Sequence, residues 1–379
     1  MLRSALLRVS NPIYTEYMRP VIFRSSAQKA HERMMHLLRW ADYQAWLDTL
    51  FGVGQALTLP NQPITTGGVT LNRPFMLAAG LVKGDGFTSE DAALAAVQSG
   101  HNIIPGWRSV PRLIGLVEYG SFTRWPRVGN PGTVVWRDVP TQSTQNRVGL
   151  RNPGVKASAV FLGARIAHLP DQFGINIAIS PGVDDPDQQT EEVLTGLRAF
   201  IEAGVYPTWF TLNLSCPNTE DDPSGNQTAD QTRQLCHAAV NDLREARLVV
   251  GRQIPLWVKV GPTLSVEQYR ALMGVFAETG VRAVIATNTL PAPTPDDPTI
   301  TAGVAGGRLH DHALETAAIL MQERTKHDYP VDVIGCGGVS DCQTYQNFRN
   351  LGVETVQYWS ALIYRGPFVA ALIMDEVSR

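Results

Sequence analysis

Trp209-Phe210-Thr211-Leu212-Asn213-Leu214 and Leu256-Trp257-Val258-Lys259-Val260 are short apolar runs separated by a helical pattern over Ala229–Arg247. Strand, helix and strand in that order make a crossover unit, whose two strands lie parallel. The alternation continues outward in both directions. Upstream lie Phe75–Gly80, Leu116–Phe122 and Ile175–Ile179, the last followed by a helical pattern over Glu191–Ala203. Downstream, Val266–Thr279 leads to Ala283–Thr287, and His312–Lys326 precedes Val331–Gly335 and Thr355–Ser360. Eight β-like segments over about 300 residues predict an α/β fold, a (β/α)8 TIM barrel. A doubly wound open sheet ranks second, because it would more usually show a glycine fingerprint at its first strand.

The chain has 379 residues, 44% hydrophobic and 18% charged, which suffices for a large core and excludes disorder. A net charge of −3 argues against a dedicated nucleic-acid binder. Cys216, Cys236, Cys336 and Cys342 form no C-x-x-C pair, so neither a zinc site nor a disulfide framework is signalled. No apolar run is long enough to span a bilayer, and Met1–Ser10 lacks the apolar centre of a signal peptide. Residues 1–50 are basic, with seven Lys/Arg against four Asp/Glu. Ala27–Phe51 reads as one helix, with Met34, Leu38, Ala41, Leu47 and Phe51 at helical spacing. Met35, Trp40, Tyr43, Trp46 and Leu50 widen the stripe. Such a helix suits a membrane interface, and equally suits docking on its own domain. Pro60, Pro63 and Thr65–Gly68 mark a linker, so the expected organisation is a helical extension (1–52), a linker (53–66) and a barrel (67–379).

Polar residues ending barrel strands face one common site. Here they include Ala79, Gly80 and Lys83, Ser121, Asn176, Asn213, Lys259, Thr287 to Thr289, Gly338, and Trp359 with Ser360. Two glycine-rich turns, Ala302–Arg308 and Gly335–Gly338, are expected to bare backbone N–H groups to a phosphate. Lys259 sits mid-strand in an apolar run, and no acid ends another strand to pair with it. It is therefore read as facing an anion or a reduced ring cofactor. Cys216 follows a strand end, between Asn213 and Asn218, where a thiol can serve as base or nucleophile. The other three cysteines are read as small buried hydrophobes. His310 and His312 are read as a solvated helix start, and no metal site is expected.

Asn213-Leu214-Ser215-Cys216-Pro217-Asn218-Thr219 resembles the active-site loop of the dihydroorotate dehydrogenases, which are FMN-binding barrels. Ala78-Ala79-Gly80, Asn146 to Asn152, Val258-Lys259, Thr287-Asn288-Thr289, Gly335 to Gly338 and Arg365-Gly366-Pro367 follow in the family's order. Arg19-Pro20-Val21-Ile22-Phe23-Arg24, with Ala30-His31, resembles the N-terminal extension of the quinone-dependent, membrane-associated class. The resemblance implies FMN held by Ala79, Gly80, Lys83, Ser121, Asn176, Asn213, Lys259, Thr287, Gly303, Gly338, Trp359 and Ser360. It implies a pyrimidine held by Lys83, Asn146, Gly149, Leu150, Asn213, Asn218, Asn288 and Thr289. Cys216 would be the general base and Lys259 the cation beside the flavin, oxidising dihydroorotate to orotate in pyrimidine synthesis. A quinone is the implied acceptor. The implied location is peripheral, on the cytoplasmic side of a membrane, with a cytoplasmic protein as the alternative.

The chain departs from the pattern at several places. The quinone class normally has serine where Cys216 stands, and cysteine resembles the soluble class. Ser121 stands for threonine, Trp359 for tyrosine, and Glu220-Asp221-Asp222-Pro223 for a Gly-Leu-Arg. Another substrate, a fumarate or NAD acceptor, and a barrel that has lost catalysis remain as alternatives.

Overall fold

The computed structural model describes residues 2–214 and 226–378. Eight parallel strands close into a barrel. In chain order they are β1 (Phe75–Leu77), β2 (Leu116–Phe122), β3 (Gly174–Ala178), β4 (Trp209–Asn213), β5 (Leu256–Val260), β6 (Ala283–Ala286), β7 (Asp332–Cys336) and β8 (Val356–Tyr358). Each strand hydrogen-bonds to the next, and β8 returns to β1. The helices predicted between strands form as Pro186–Glu202, Asn226–Val250, Val266–Thr279 and Gly307–His327. Val266–Thr279 is sealed in an ordinary way: Ser265 and Gln268 form a capping box at its start, and Gly280 ends it in the left-handed region.

Alternate strand residues point inward. Met76, Leu116, Trp209, Trp257, Ala283, Ile285, Ile334 and Cys336 form the inner core, while a larger apolar shell lies between strands and helices. Trp209 and Trp257 stack at 4.4 Å on the barrel floor. A hairpin of Ile64–Thr66 and Val69–Leu71 closes the floor, and the carbonyl of Gly67 accepts from Trp257 Nε1 at 2.9 Å.

Two insertions build an antiparallel sheet at the other end. Leu290–Pro293, Thr301–Gly306, Ser143–Asn146 and Val135–Asp138 pair in that order. This corrects one expectation: Ala302–Gly306 is a strand, not a loose turn. Its glycines serve close approach, since a Cβ on Gly303 would meet Thr289 Oγ1 at 2.0 Å.

The amino-terminal region is helical from Leu2 to Thr58, with one correction to the sequence reading. The helix expected over Ala27–Phe51 is two helices, Ala27–Ala41 and Ala45–Thr58. Asp42 leaves the helix because its carboxylate has tertiary partners. It accepts from Asn102 Nδ2 (2.8 Å), the backbone N–H of Gly106 (2.7 Å), Arg108 (3.3 Å) and Ser109 (2.9 Å), and Ser109 Oγ (2.8 Å). Burial still outweighs these bonds and raises the Asp42 carboxyl above its ordinary range. The apolar stripe is divided at this elbow. Leu38, Ala41 and Leu47 are buried against the barrel, while Trp40, Tyr43, Trp46, Leu50, Val53 and Leu57 are exposed. Arg39 adds a 2.6 Å ion pair to Asp85, in the loop after β1.

Replacing Asp42 with alanine leaves several buried donors unpaired. Asp42→Ala should cost about 3 kcal/mol of stability and expose residues 27–58 to protease before the barrel. An unchanged melting temperature would show that the elbow is held by packing alone.

Candidate active site

A buried carboxylate lies inside the barrel just above the floor. Glu118, on β2, is 0% exposed. Its Oε2 accepts from Trp209 Nε1 (3.0 Å), Thr211 Oγ1 (2.7 Å) and Gln357 Nε2 (3.2 Å), and its Oε1 from Asn176 Nδ2 (2.8 Å). Gln357, on β8, turns its oxygen to Lys259, whose Nζ donates at 3.1 Å. The same ammonium donates to Cys336 Sγ at 3.4 Å. Lys259 is thus in no direct ion pair with Glu118. The acid sits within a strand rather than at its end, and reaches the cation through one amide. Cys336 is also more than a small hydrophobe. Burial pushes its thiol up further than Lys259 pulls it down, so the sulfur is a neutral acceptor for the ammonium.

Nearer the mouth the strand-end amides meet. Asn288 Nδ2 donates to Asn213 Oδ1 at 3.3 Å, and Asn213 Nδ2 makes a long 3.5 Å contact with Ser121 Oγ. Thr287 is fixed through its N–H to the Cys336 carbonyl at 2.6 Å. Thr289 packs on Gly303, which pairs in register with Asn146 on the rim sheet. Asn176 is fully buried, and its Oδ1 has no partner among the described residues. Gly149 and Leu150 lie on a tightly held loop. Leu150 adopts φ +53°, Asn152 Nδ2 donates to the Leu150 carbonyl at 2.7 Å, and Arg127 Nε to that of Gly149 at 3.2 Å.

On the first strand's loop, Gly80 donates to the Gly120 carbonyl at 2.7 Å and lies beside the Trp359 indole, next to Ala79. Lys83 follows. Burial, and then the neighbouring Arg151, lower its ammonium to about 8. Lys83 and Arg151, after burial, also hold the His31 imidazole below its ordinary value, which places that N-terminal residue beside the mouth.

The glycine-rich side is built differently from the sequence reading. Gly306 caps the 21-residue helix Gly307–His327, and Gly338 is packed so closely that a Cβ would lie 2.9 Å from the Gly306 carbonyl oxygen and 2.6 Å from His310 Cβ. His310 is accordingly buried, not solvated, bonding the Gly337 carbonyl and Asn347 at 3.0 Å each. Ser360 Oγ meets Thr144 Oγ1 at 2.7 Å. Cys216 and Asn218 lie outside the described residues. Sequence reasoning missed Glu118, Gln357, Thr211 and Arg151. Glu118 carried the same signal as Lys259, a charged residue inside an apolar strand.

The arrangement is that of a (β/α)8 enzyme with its ligand site at the carboxyl ends of the strands. A family model described as Dihydroorotate dehydrogenase matches residues 64–379. The chain is 30% identical over 361 residues to the dihydroorotate dehydrogenase (quinone) of Bordetella avium, covering 92% of this chain and 93% of that one. It is 30% identical over 366 residues to the protein of the same name from Methylococcus capsulatus, covering 95% and 98%. Among solved structures, DHODH from Eimeria tenella in complex with ferulenol superposes with a TM-score of 0.66 at 22% identity, over 87% of this chain and 89% of that one. The chain belongs to the dihydroorotate dehydrogenase family.

Lys83 carries a burial cost that folding must overcome. Its value falls from 10.5 to about 8 on folding, so the unfolded chain binds more protons between those values and stability rises with pH there. Lys83→Met should therefore stabilise the ligand-free protein below pH 8, and the gain should fade toward pH 10.5 in thermal melts. A variant less stable than the parent at pH 7 would show that the ammonium has a partner.

Proposed function

We propose that this chain is an FMN enzyme that oxidises dihydroorotate to orotate and passes the electrons to a quinone. One observation carries the reading. A fixed ammonium, Lys259, and a buried acceptor without a partner among the described residues, Asn176 Oδ1, are tied to one carboxylate, Glu118, the first through Gln357 and the second directly, beneath a mouth rimmed by asparagines. An isoalloxazine suits that donor set, having one ring N–H to meet Asn176 and a locus of negative charge on reduction to meet Lys259. The N–H groups around Gly306, Gly307 and Gly338 suit its phosphate. Ala79, Gly80, Ser121, Asn213, Thr287, Gly303, Trp359 and Ser360 complete the proposed cofactor set.

Bound FMN would supply the hydride acceptor. The other steps belong to the protein. Lys83 holds the substrate carboxylate, and Asn146, Asn213, Asn218 and Asn288, with Thr289, Gly149 and Leu150, hold and orient the pyrimidine. Cys216 takes the proton from C5 as hydride leaves C6, so the base and the hydride acceptor act on opposite ends of one C–C bond.

The helical extension, expected over 1–52 but running on to Thr58, is proposed as the quinone side; of the expected linker 53–66 only the stretch before the floor strand Ile64–Thr66 remains to join it to the barrel of 67–379. Trp46, Leu50, Val53 and Leu57 are exposed along one face of Ala45–Thr58, as Met34, Leu37 and Trp40 are along Ala27–Ala41. Such a face suits a membrane interface, where a quinone is dissolved. Among the described residues no helix is long and apolar enough to cross a membrane, so the contact proposed is peripheral, on the cytoplasmic side. On the inner side, Arg137 donates to the Ser25 carbonyl and stacks on Phe23 at 4.2 Å, tying the extension to the rim sheet.

Anaerobic dihydroorotate should bleach the flavin band near about 450 nm, and an unbleached spectrum would remove this substrate. Cys216→Ala should slow that reduction by about 100-fold or more; an unaffected rate would clear the thiol of its role. With Trp46, Leu50 and Val53 changed to glutamate, sedimentation with lipid vesicles and quinone reduction should fall together while reduction of a water-soluble dye persists. Fumarate or NAD reduction in place of quinone reduction would overturn the acceptor.

A further inference from the structure

Glu118 is fully buried below the mouth, where the ring chemistry would occur, yet it holds two amides, one of which reaches on to Lys259. A carboxylate only accepts hydrogen bonds, whereas a primary amide offers a donor at one end and an acceptor at the other. Whichever end of an amide faces Glu118 must therefore be nitrogen. Asn176 turns Nδ2 to Glu118 Oε1 at 2.8 Å, and Gln357 turns Nε2 to Oε2 at 3.2 Å. Their oxygens are left pointing away, that of Gln357 to Lys259 and that of Asn176 buried and without a partner among the described residues. Trp209 Nε1 and Thr211 Oγ1, which donate at 3.0 and 2.7 Å, hold the carboxylate where both amides meet it.

We propose that Glu118 is the positioning residue of the flavin site. It sets the polarity of two amides, so that Asn176 presents oxygen to the flavin ring N–H and Gln357 presents oxygen to Lys259. This rests on the FMN reading above and adds to it the element that orients the binding groups. Reversing either amide would set its oxygen against carboxylate oxygen in a buried site, where such repulsion is strong.

Glu118→Gln tests the polarity directly. Three donors face Oε2 and one faces Oε1, so glutamine should keep oxygen toward the three and turn its nitrogen to Asn176. Asn176 must then reverse and present a donor to a donor. The full-length variant, stripped of flavin and titrated with FMN, should show a Kd raised by about tenfold or more, the cost of one unpaired buried group. Its midpoint potential should move to a more positive value, since a buried negative charge has gone. The double variant E118Q/N176D restores an acceptor on both sides of position 176 and should recover most of the lost affinity. Leu71→Ala opens a cavity in the hairpin under the floor, away from Glu118 and both amides, and should lower the melting temperature but leave the Kd for FMN alone.

An E118Q protein with parental Kd and potential overturns the proposal. So does an L71A protein whose Kd rises as much, because the effect would then be structural. If E118Q does not fold, Gln357→Leu removes the amide that joins Glu118 to Lys259 while leaving Asn176 in place, and an unchanged midpoint potential in that variant overturns the proposal too. A parent chain that takes up no FMN sinks the functional reading first and this inference with it, and is told apart by needing no variant.

Discussion

An ammonium enclosed by apolar strands is the constraint on which the barrel interior depends. Lys259 is only 6% exposed and has strand neighbours such as Val258 and Val260 that are more buried still. A cation in such a place is costly unless hydrogen-bonded and electrically compensated. The barrel meets the requirement with an intervening amide instead of a direct ion pair. Gln357 accepts from Lys259 and donates to Glu118, so opposite charges balance across the interior without collapsing onto one another. The ammonium therefore stays at the level of Asn213, its register partner on β4.

The barrel was legible because strand and helix periods alternate cleanly, and because a mid-strand lysine stands out against Leu256, Trp257 and Val258. Glu118 was no less visible in principle, but its meaning depends on Gln357 and Asn176, which are distant in sequence and polar without charge. The Asp42 elbow shows the same limit. Its five donors come from residues 102 to 109, and nothing between 27 and 51 distinguishes a bend from a continuous helix. Likewise the glycines at 303 and 306 advertise backbone freedom, yet not whether a turn or a close-packed strand uses it. His310 follows from that packing, since Gly338 sits against it.

The apolar stripe of the extension, read from the sequence as one surface, is divided at the elbow. By turning the chain at Asp42, the protein gives Leu38, Ala41 and Leu47 to the barrel and leaves Trp40, Trp46 and Leu50 outside. The anchoring is ionic as well as apolar. Asp85 gathers Arg39 from the extension together with His101 and Arg151, the last being the neighbour that depresses Lys83.

The antiparallel sheet at the rim joins chain segments about 150 residues apart, with Asn146 opposite Gly303 and Thr289 against Gly303. Because Thr144 also bonds Ser360, this plate is riveted to the end of β8. Contacts that many enzymes leave to separate wandering loops are here printed on one stiff template. The disorder surrendered in arranging them is lost when the chain folds, before any ligand arrives. A ligand arriving at this edge would meet a mould already set.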